Sequence, residues 1–290
     1  MITLRRWQEE WHERGKIGVL FSRVRLEEKL IFEALAKRKI PFEKLDIRAM
    51  AFDLEKAQDF ERILIRCISH REAFYGSRIL ESQGVKTVNS HQTIRLAGDK
   101  LLTSQALMDK GVPTLPVVMA FSPQAAMDAL EKLGYPAVIK PLNGSWGRLI
   151  AKIDSPESAR SILEHRSYMG DELGSVFYIQ PYVEKPGRDI RVMVVGEEVI
   201  YAIYRYSSHW ITNTARGAYT EPCPITSELE ELSLRAAEAV GGGILALDIF
   251  ETPEGLVVNE VNHTPEFHGA MKAVKVDIPQ KIVDYFLQGG

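Results

Sequence analysis

The sequence predicts an α/β protein of three lobes, with a small parallel sheet coming first. Two observations carry that prediction. From Lys16 to Asn89, short apolar runs alternate with amphipathic helical stretches, the pattern of parallel strands covered on both faces. Beyond Thr114, strands come in pairs joined by glycine-bearing turns, the pattern of antiparallel hairpins. A chain of 290 residues is long enough to give such lobes substantial cores.

The first strand is expected at Lys16–Phe21 and the first helix at Leu26–Lys37, with Leu30, Ala34 and Leu35 on one face. Pro41 opens a second extended segment, Arg62–Cys67 reads as a third strand, and a helix over about Glu72–Gln83 leads through Gly84 to Val85–Asn89. Ahead of all this, Trp7 and Trp11 stand four apart and would share a face of a short helix. The second lobe opens with a helix at Asp99–Asp109, stopped by Gly111 and Pro113. A strand at Thr114–Ala120, a helix at Pro123–Leu133 and a hairpin of Ala137–Pro141 with Leu149–Ile153 follow. Ser155 caps a helix at Pro156–His165, with proline in its first turn. The third lobe takes strands Phe177–Val183, Asp189–Val195 and Val199–Arg205. Ser227 and Glu230 fit a capping box for a helix ending at Gly241–Gly243. Strands Ile244–Phe250 and Leu256–Val261 then form a hairpin, and a helix over Gln280–Leu287 closes the chain. The lobes span residues 1–95, 96–172 and 173–290 on this reading.

Composition excludes several function classes. Apolar residues at 45% and charged residues at 26% are ordinary for a soluble domain, and a net charge of −3 implies no general affinity for nucleic acid or an anionic membrane. Cys67 and Cys223 match no zinc pattern or disulfide framework and are expected as free thiols. No apolar run has the length of a membrane span, the opening residues lack a signal peptide, and the chain reads as cytoplasmic.

The residues that can carry chemistry fall into five groups. Glu260 and Asn262 alternate onto one face of a strand that Asp248 can reach from its neighbour, giving a hard-oxygen set suited to magnesium, against a solvated hairpin face as the plainer reading. Lys100 begins a helix and Lys140 ends an apolar strand, where a cation can meet a phosphate; lone lysines are usually solvated. The turn Asn143-Gly144-Ser145-Trp146-Gly147-Arg148 can offer backbone N–H groups to phosphate, although it lacks the P-loop pattern and reads equally as a plain hairpin turn. The connection from Gln180 through Tyr182 and Val183 can meet a purine edge, with Asp189 accepting from ribose. Arg205, with Asn213 and Arg216 near Gly217, can bind developing negative charge, or simply line a solvated loop.

Taken in chain order, these segments resemble the ATP-grasp family. Lys100, Lys140 with its glycine turn, the Gln180–Asp189 connection, and Asp248 with Glu260 and Asn262 carry the likeness. Segments 143–148, 182–191, 209–217 and 259–267 are similar to the LysX family, within the branch that also holds ribosomal-protein tail glutamylases, and the likeness runs from about Lys16 to the end. The resemblance implies an ATP-grasp fold behind a preceding small parallel-sheet domain, and an ADP-forming ligase using ATP and Mg2+. Its partner would be a small acidic amino-group carrier protein, LysW-like, whose C-terminal glutamate is activated and joined to an amino acid, with a homo-oligomer plausible. By that resemblance Lys100, Lys140 and the turn from Gly144 through Ser145, Trp146 and Gly147 to Arg148 hold the phosphates. Gln180, Tyr182 and Val183 take the adenine, Asp189 the ribose, Arg205 and Asn213 the phosphate end, and Asp248, Glu260 and Asn262 the metal. Arg216 stabilises the acyl-phosphate and tetrahedral states. Lys185, Arg188 and Arg205 are candidates for drawing the acidic tail. The likeness to the LysX family implies α-aminoadipate as the amine, in lysine biosynthesis, but Gly269-Ala270 matches neither the Asn-plus-small pattern of aminoadipate members nor the Gly-Phe pattern of glutamate members, which keeps glutamate open as the alternative. Glutamylation of another protein tail and a nucleotide-binding module without catalysis are the other readings.

Overall fold

The computed structural model describes residues 15–144, 147–168, 176–212 and 217–289. The expected helix around Trp7 and Trp11 lies outside them.

The first sheet is parallel, in the order β2-β1-β3-β4. Its strands are β1 (Ile17–Phe21), β2 (Glu43–Asp46), β3 (Arg62–Arg66) and β4 (Lys86–Val88). Helices α1 (Leu26–Lys37) and α2 (His70–Ser82) cross between strands, and every residue of β1 and β3 is buried, as a sheet covered on both faces requires. Gly18 permits the close packing here, because a Cβ would sit 2.8 Å from Leu45 Cδ1. Helix α3 (His91–Ala97), capped by Ser90, was not expected from the sequence.

The second boundary lies elsewhere than the sequence suggests. Helix α4 (Lys100–Asp109), expected to open the second lobe, buries Leu107 in the core of the third. The second sheet is β5-β8-β6-β7, made of β5 (Val118–Ala120), β6 (Ala137–Lys140), β7 (Ala151–Ile153) and β8 (Phe177–Pro181). Strand β8, assigned by chain order to the third lobe, pairs with β5 and β6, because its buried Phe177 and Ile179 complete the core under α5 (Pro123–Leu133) and α6 (Pro156–Ser167).

The third sheet is antiparallel, β11-β10-β9-β12-β13. It comprises β9 (Arg188–Val195), β10 (Glu198–Tyr206), β11 (Tyr219–Pro222), β12 (Ile244–Thr252) and β13 (Gly255–Asn262). Helix α7 (Ser227–Ala239) covers one face. Its N-cap is Thr226, whose hydroxyl accepts from Leu229 N at 3.2 Å, so the expected Ser227 cap is displaced by one residue. Helix α8 (Ile278–Gln288) buries Ile282, Val283 and Phe286 in a core shared with β1, α1 and the other face of the third sheet. The first and third lobes are thus fused, while the second has a core of its own.

Candidate active site

The site is built on cross-strand pairing in the third sheet. Glu260, Asp248 and Arg191 are directly opposite one another on β13, β12 and β9, so the three side chains share a face. Arg205 on β10 is opposite Asp189 on β9. Arg191 Nη1 donates to Asp248 Oδ1 at 2.5 Å, and Arg205 Nη2 lies 3.0 Å from the same oxygen. Arg205 also donates to both oxygens of Asp189 at 2.7 Å, and Thr212 Oγ1 adds a third bond to that carboxylate. Burial works against the ionised form of Asp248, yet the two guanidinium groups hold its carboxyl below the usual carboxylate range.

The register slips between Asp248 and Ile249, and the bulge brings Asn259 beside Glu260. Asn259 Oδ1 accepts from Lys140 Nζ at 2.8 Å. Lys140 is buried at the end of β6, and desolvation pulls its pKa down to about 8 despite the attraction of Glu260. Asp99 caps α4 with bonds to Leu101 N and Leu102 N, which sets Lys100 in the first turn. Lys100 Nζ lies 3.3 Å from Glu260 Oε1 and donates to Gly144 O at 3.2 Å. The helix start is thereby tied to the glycine turn and the acidic row.

A cavity of about 700 Å³ opens over this row. Lys100, Gly144, Arg148, Arg191, Arg205, Asp248, Glu260 and Asn262 line it, and it extends past Arg25, His70 and His268 to Gly269 and Ala270. A narrower slot lies between the second and third sheets. Leu115, Val138, Ile150 and Phe250 give it apolar walls, and Gln180, Tyr182, Val183 and Lys185 line it as well. Arg205, Asp248, Asn259 and Glu260 line both hollows and mark where they meet, and Lys140 lines the slot beside them.

The structure thus gathers Lys100, Lys140, Gly144, Gly147, Arg148, Gln180, Tyr182, Val183, Asp189, Arg205, Asp248, Glu260 and Asn262 around two joined hollows. Ser145, Trp146, Asn213 and Arg216 lie outside the described residues. Three expectations change. Asp189 is no open ribose acceptor, because Arg205 and Thr212 occupy its buried carboxylate. Asp248 is no open carboxylate either, having two arginine partners. Arg188 and Arg205 do not project a basic field, since Arg188 is bonded to both oxygens of Glu251 and Arg205 is buried. Arg191 and Asn259 were missed. Alternation along β9 places Arg191 on the face of Asp189, a signal present in the sequence, whereas the bulge that turns Asn259 is not.

Magnesium can be tested against this donor set. Asp248, Glu260 and the Asn262 amide supply only hard oxygen ligands, and Asn262 Nδ2 is buried without an acceptor among the described residues. Among the described residues no three His, Cys, Asp or Glu side chains converge on a metal position. Such a set fits magnesium, which takes one or two carboxylates and completes its shell with water and phosphate, better than calcium or zinc.

Comparison with known proteins matches this arrangement. Residues 17–96 match the model of the LysX preATP-grasp domain, and residues 97–286 that of the RimK-like ATP-grasp domain. A glutamate–LysW ligase, ArgX, of Sulfolobus acidocaldarius is 36% identical over 274 residues, 93% of this chain and 97% of that one. An α-aminoadipate–LysW ligase, LysX, of Sulfurisphaera tokodaii is 35% identical over 277 residues, 92% of this chain and 96% of that one. The crystal structure of a RimK domain ATP-grasp protein from Sphaerobacter thermophilus superposes with a TM-score of 0.78 at 26% identity, covering 94% of this chain and 99% of that one. ATP-grasp ligases of this kind use ATP and Mg2+ to join a carboxylate to an amine with release of ADP. With both family models matched across nearly its whole length, the chain belongs to the RimK-like ATP-grasp ligases, of the type that carries a LysX preATP-grasp domain.

Proposed function

We propose that this ligase activates the C-terminal glutamate of a small acidic, LysW-like carrier protein and joins it to the α-amino group of α-aminoadipate, a step of lysine biosynthesis. Relatives of both kinds support the carrier, each a LysW ligase aligned over more than nine-tenths of this chain. Identity does not separate the two amines, because the ArgX and LysX relatives stand at 36% and 35%. The observation that favours the longer amino acid is the far end of the cavity, where Gly269 and Ala270 line the wall with minimal side chains.

In this reading the slot takes adenine, while Lys100, Lys140 and the 144–148 turn hold the phosphates. The γ-phosphoryl group passes to a carboxylate oxygen of the tail glutamate, giving an acyl phosphate and ADP. The amine then attacks the carbonyl carbon, the C–O bond to phosphate breaks, and the amine's proton is lost as the amide forms. Asp248, Glu260 and Asn262 would hold magnesium, which would neutralise phosphate charge. Arg205, oriented by Asp189, and Arg191 set the positive field at the phosphate end. Arg216 and Asn213 take the oxyanion of the tetrahedral state.

One methylene separates the two amines, worth about 10- to 200-fold in kcat/KM. Incubating enzyme, Mg-ATP and carrier with both amino acids and weighing the carrier should give mainly the aminoadipyl adduct with a minor glutamyl one. Ala270→Phe should shift the ratio toward glutamate. A wild type that makes only the glutamyl adduct refutes the aminoadipate assignment, and a carrier unchanged in mass with either amine refutes the carrier.

A further inference from the structure

The slot between the second and third sheets contains a polar atom with nothing to bond among the described residues. Gln180 is 1% exposed, and its Oε1 is buried without a hydrogen-bond partner there. The other half of the same amide is fully engaged: Nε2 donates to the Tyr178 hydroxyl at 3.0 Å, and that hydroxyl lies 2.8 Å from Ser104 Oγ. Tyr178 is 1% exposed and Ser104 5% exposed, so water does not compete for these bonds. Burial also pushes the Tyr178 phenol up to about 12, which keeps its proton in place at neutral pH.

Two features fix which end of the amide faces the slot. Gln180 and Tyr178 are opposite Val138 and Lys140 on β6, so Gln180 shares its sheet face with the buried Lys140 cation. An amide beside a cation is more stable with its oxygen toward the charge than with its N–H groups there. The Tyr178 hydroxyl on β8, itself bonded to Ser104 on α4, holds the nitrogen end back.

We propose that Ser104 and Tyr178 are positioning residues for base selection, holding the Gln180 amide with its oxygen toward the slot so that it accepts from the 6-amino group of adenine and opposes the 6-oxo group of guanine or hypoxanthine. This rests on the reading of the slot as the nucleotide's base site. A buried acceptor left unsatisfied by the protein is satisfied by a ligand N–H, and a base presenting a carbonyl leaves two acceptors face to face. Sites built to bond a ligand N–H reject analogues lacking it far more strongly than apolar contacts can.

The test is nucleoside diphosphate release with ATP, GTP and ITP, together with ATP binding by calorimetry. Wild type should favour ATP over ITP and GTP by about 100-fold or more in kcat/KM. Tyr178→Phe keeps the ring but frees the amide to turn, and should narrow the ATP:ITP ratio about tenfold, chiefly by raising KM for ATP rather than lowering kcat. Ser104→Ala removes one bond from the chain and should narrow the ratio by about threefold; it also serves if Tyr178→Phe does not fold. A merely structural role for Tyr178 would lower stability and leave the ratio unmoved. Folded variants with the wild-type ratio overturn the inference while leaving the base site intact. A wild type that neither binds nor turns over ATP overturns the base site itself, and the inference with it.

Discussion

Two networks of charge lie inside this molecule, and they are completed in different ways. Over the third sheet Lys100, Lys140, Arg191 and Arg205 stand against Asp189, Asp248 and Glu260, leaving one cation in excess, with the Asn262 amide nitrogen unbonded. At the joint between the first and third lobes, Arg25 and Arg66 share Glu28, Arg25 reaches on to Glu266, and Arg66 donates to Pro265 O. Glu27 there accepts from Phe267 N, His268 N and His268 Nδ1. The joint is completed by the protein's own backbone, and the row is not. A network the chain can close by itself fixes lobes and loops; one left with surplus charge and an idle amide is arranged for something that arrives later.

The comparison breaks most sharply under paired substitutions. Asp248→Asn and Glu260→Gln should each lower kcat/KM by about 100-fold or more while leaving the circular dichroism spectrum near wild type, because a ligand charge is lost from a site that binds magnesium and ATP. Arg66→Met should do the reverse. It removes one of the two arginines that share Glu28, and it should cost about 3 kcal/mol in urea unfolding while the folded fraction keeps its turnover. Should Arg66→Met abolish turnover without destabilising, the joint belongs to the active site after all.

The joint should also govern acid stability. Burial raises the cost of ionising Glu27 and Glu28, yet hydrogen bonds from His268 and from Arg25 hold both carboxyls below the ordinary value of 4.5. A carboxyl lowered on folding contributes stability above 4.5 and loses it as pH falls through its folded value. Unfolding free energy should therefore drop below about pH 4.5, and Glu27→Gln should flatten that limb while lowering stability at pH 7. The smallest effect is expected away from both networks, where Thr226→Ala should cost about 1 kcal/mol as the true cap of α7 and Ser227→Ala almost nothing.

Much of this was legible in the sequence, for physical reasons that also explain the rest. Strict alternation put Glu260 and Asn262 on one face, but the hairpin register alone would set Asp248 opposite Asn259, and only the bulge between Asp248 and Ile249 brings it opposite Glu260. Helices α1, α5, α7 and α8 fall within a few residues of their expected bounds, α1 from its apolar face and α7 from its cap and glycine stop. What escaped depends on contacts distant in the chain. Short β11 has only four residues and little apolar signal. Helix α3 has seven, and only tertiary burial of Thr93, Ile94 and Ala97 reveals its inner face. The arginine partners of Asp189 and Asp248, and the bulge at Asn259, arise from pairing among β9, β10, β12 and β13, which no local pattern encodes.

The membership of α4 bears on how the chain is made. Leu107 and Val112 pack with Val258 and Val261, and Thr114 Oγ1 donates to Val258 O, a partner 144 residues further along. Everything the second sheet needs, by contrast, lies between β5 and β8. During synthesis the middle lobe can consolidate as soon as β8 clears the ribosome. Helix α4 has by then emerged, and must wait with its apolar face uncovered until β12 and β13 follow. A pause or truncation between β8 and β13 would leave a finished middle domain attached to an orphaned helix, the segment on which a chaperone would be expected to act.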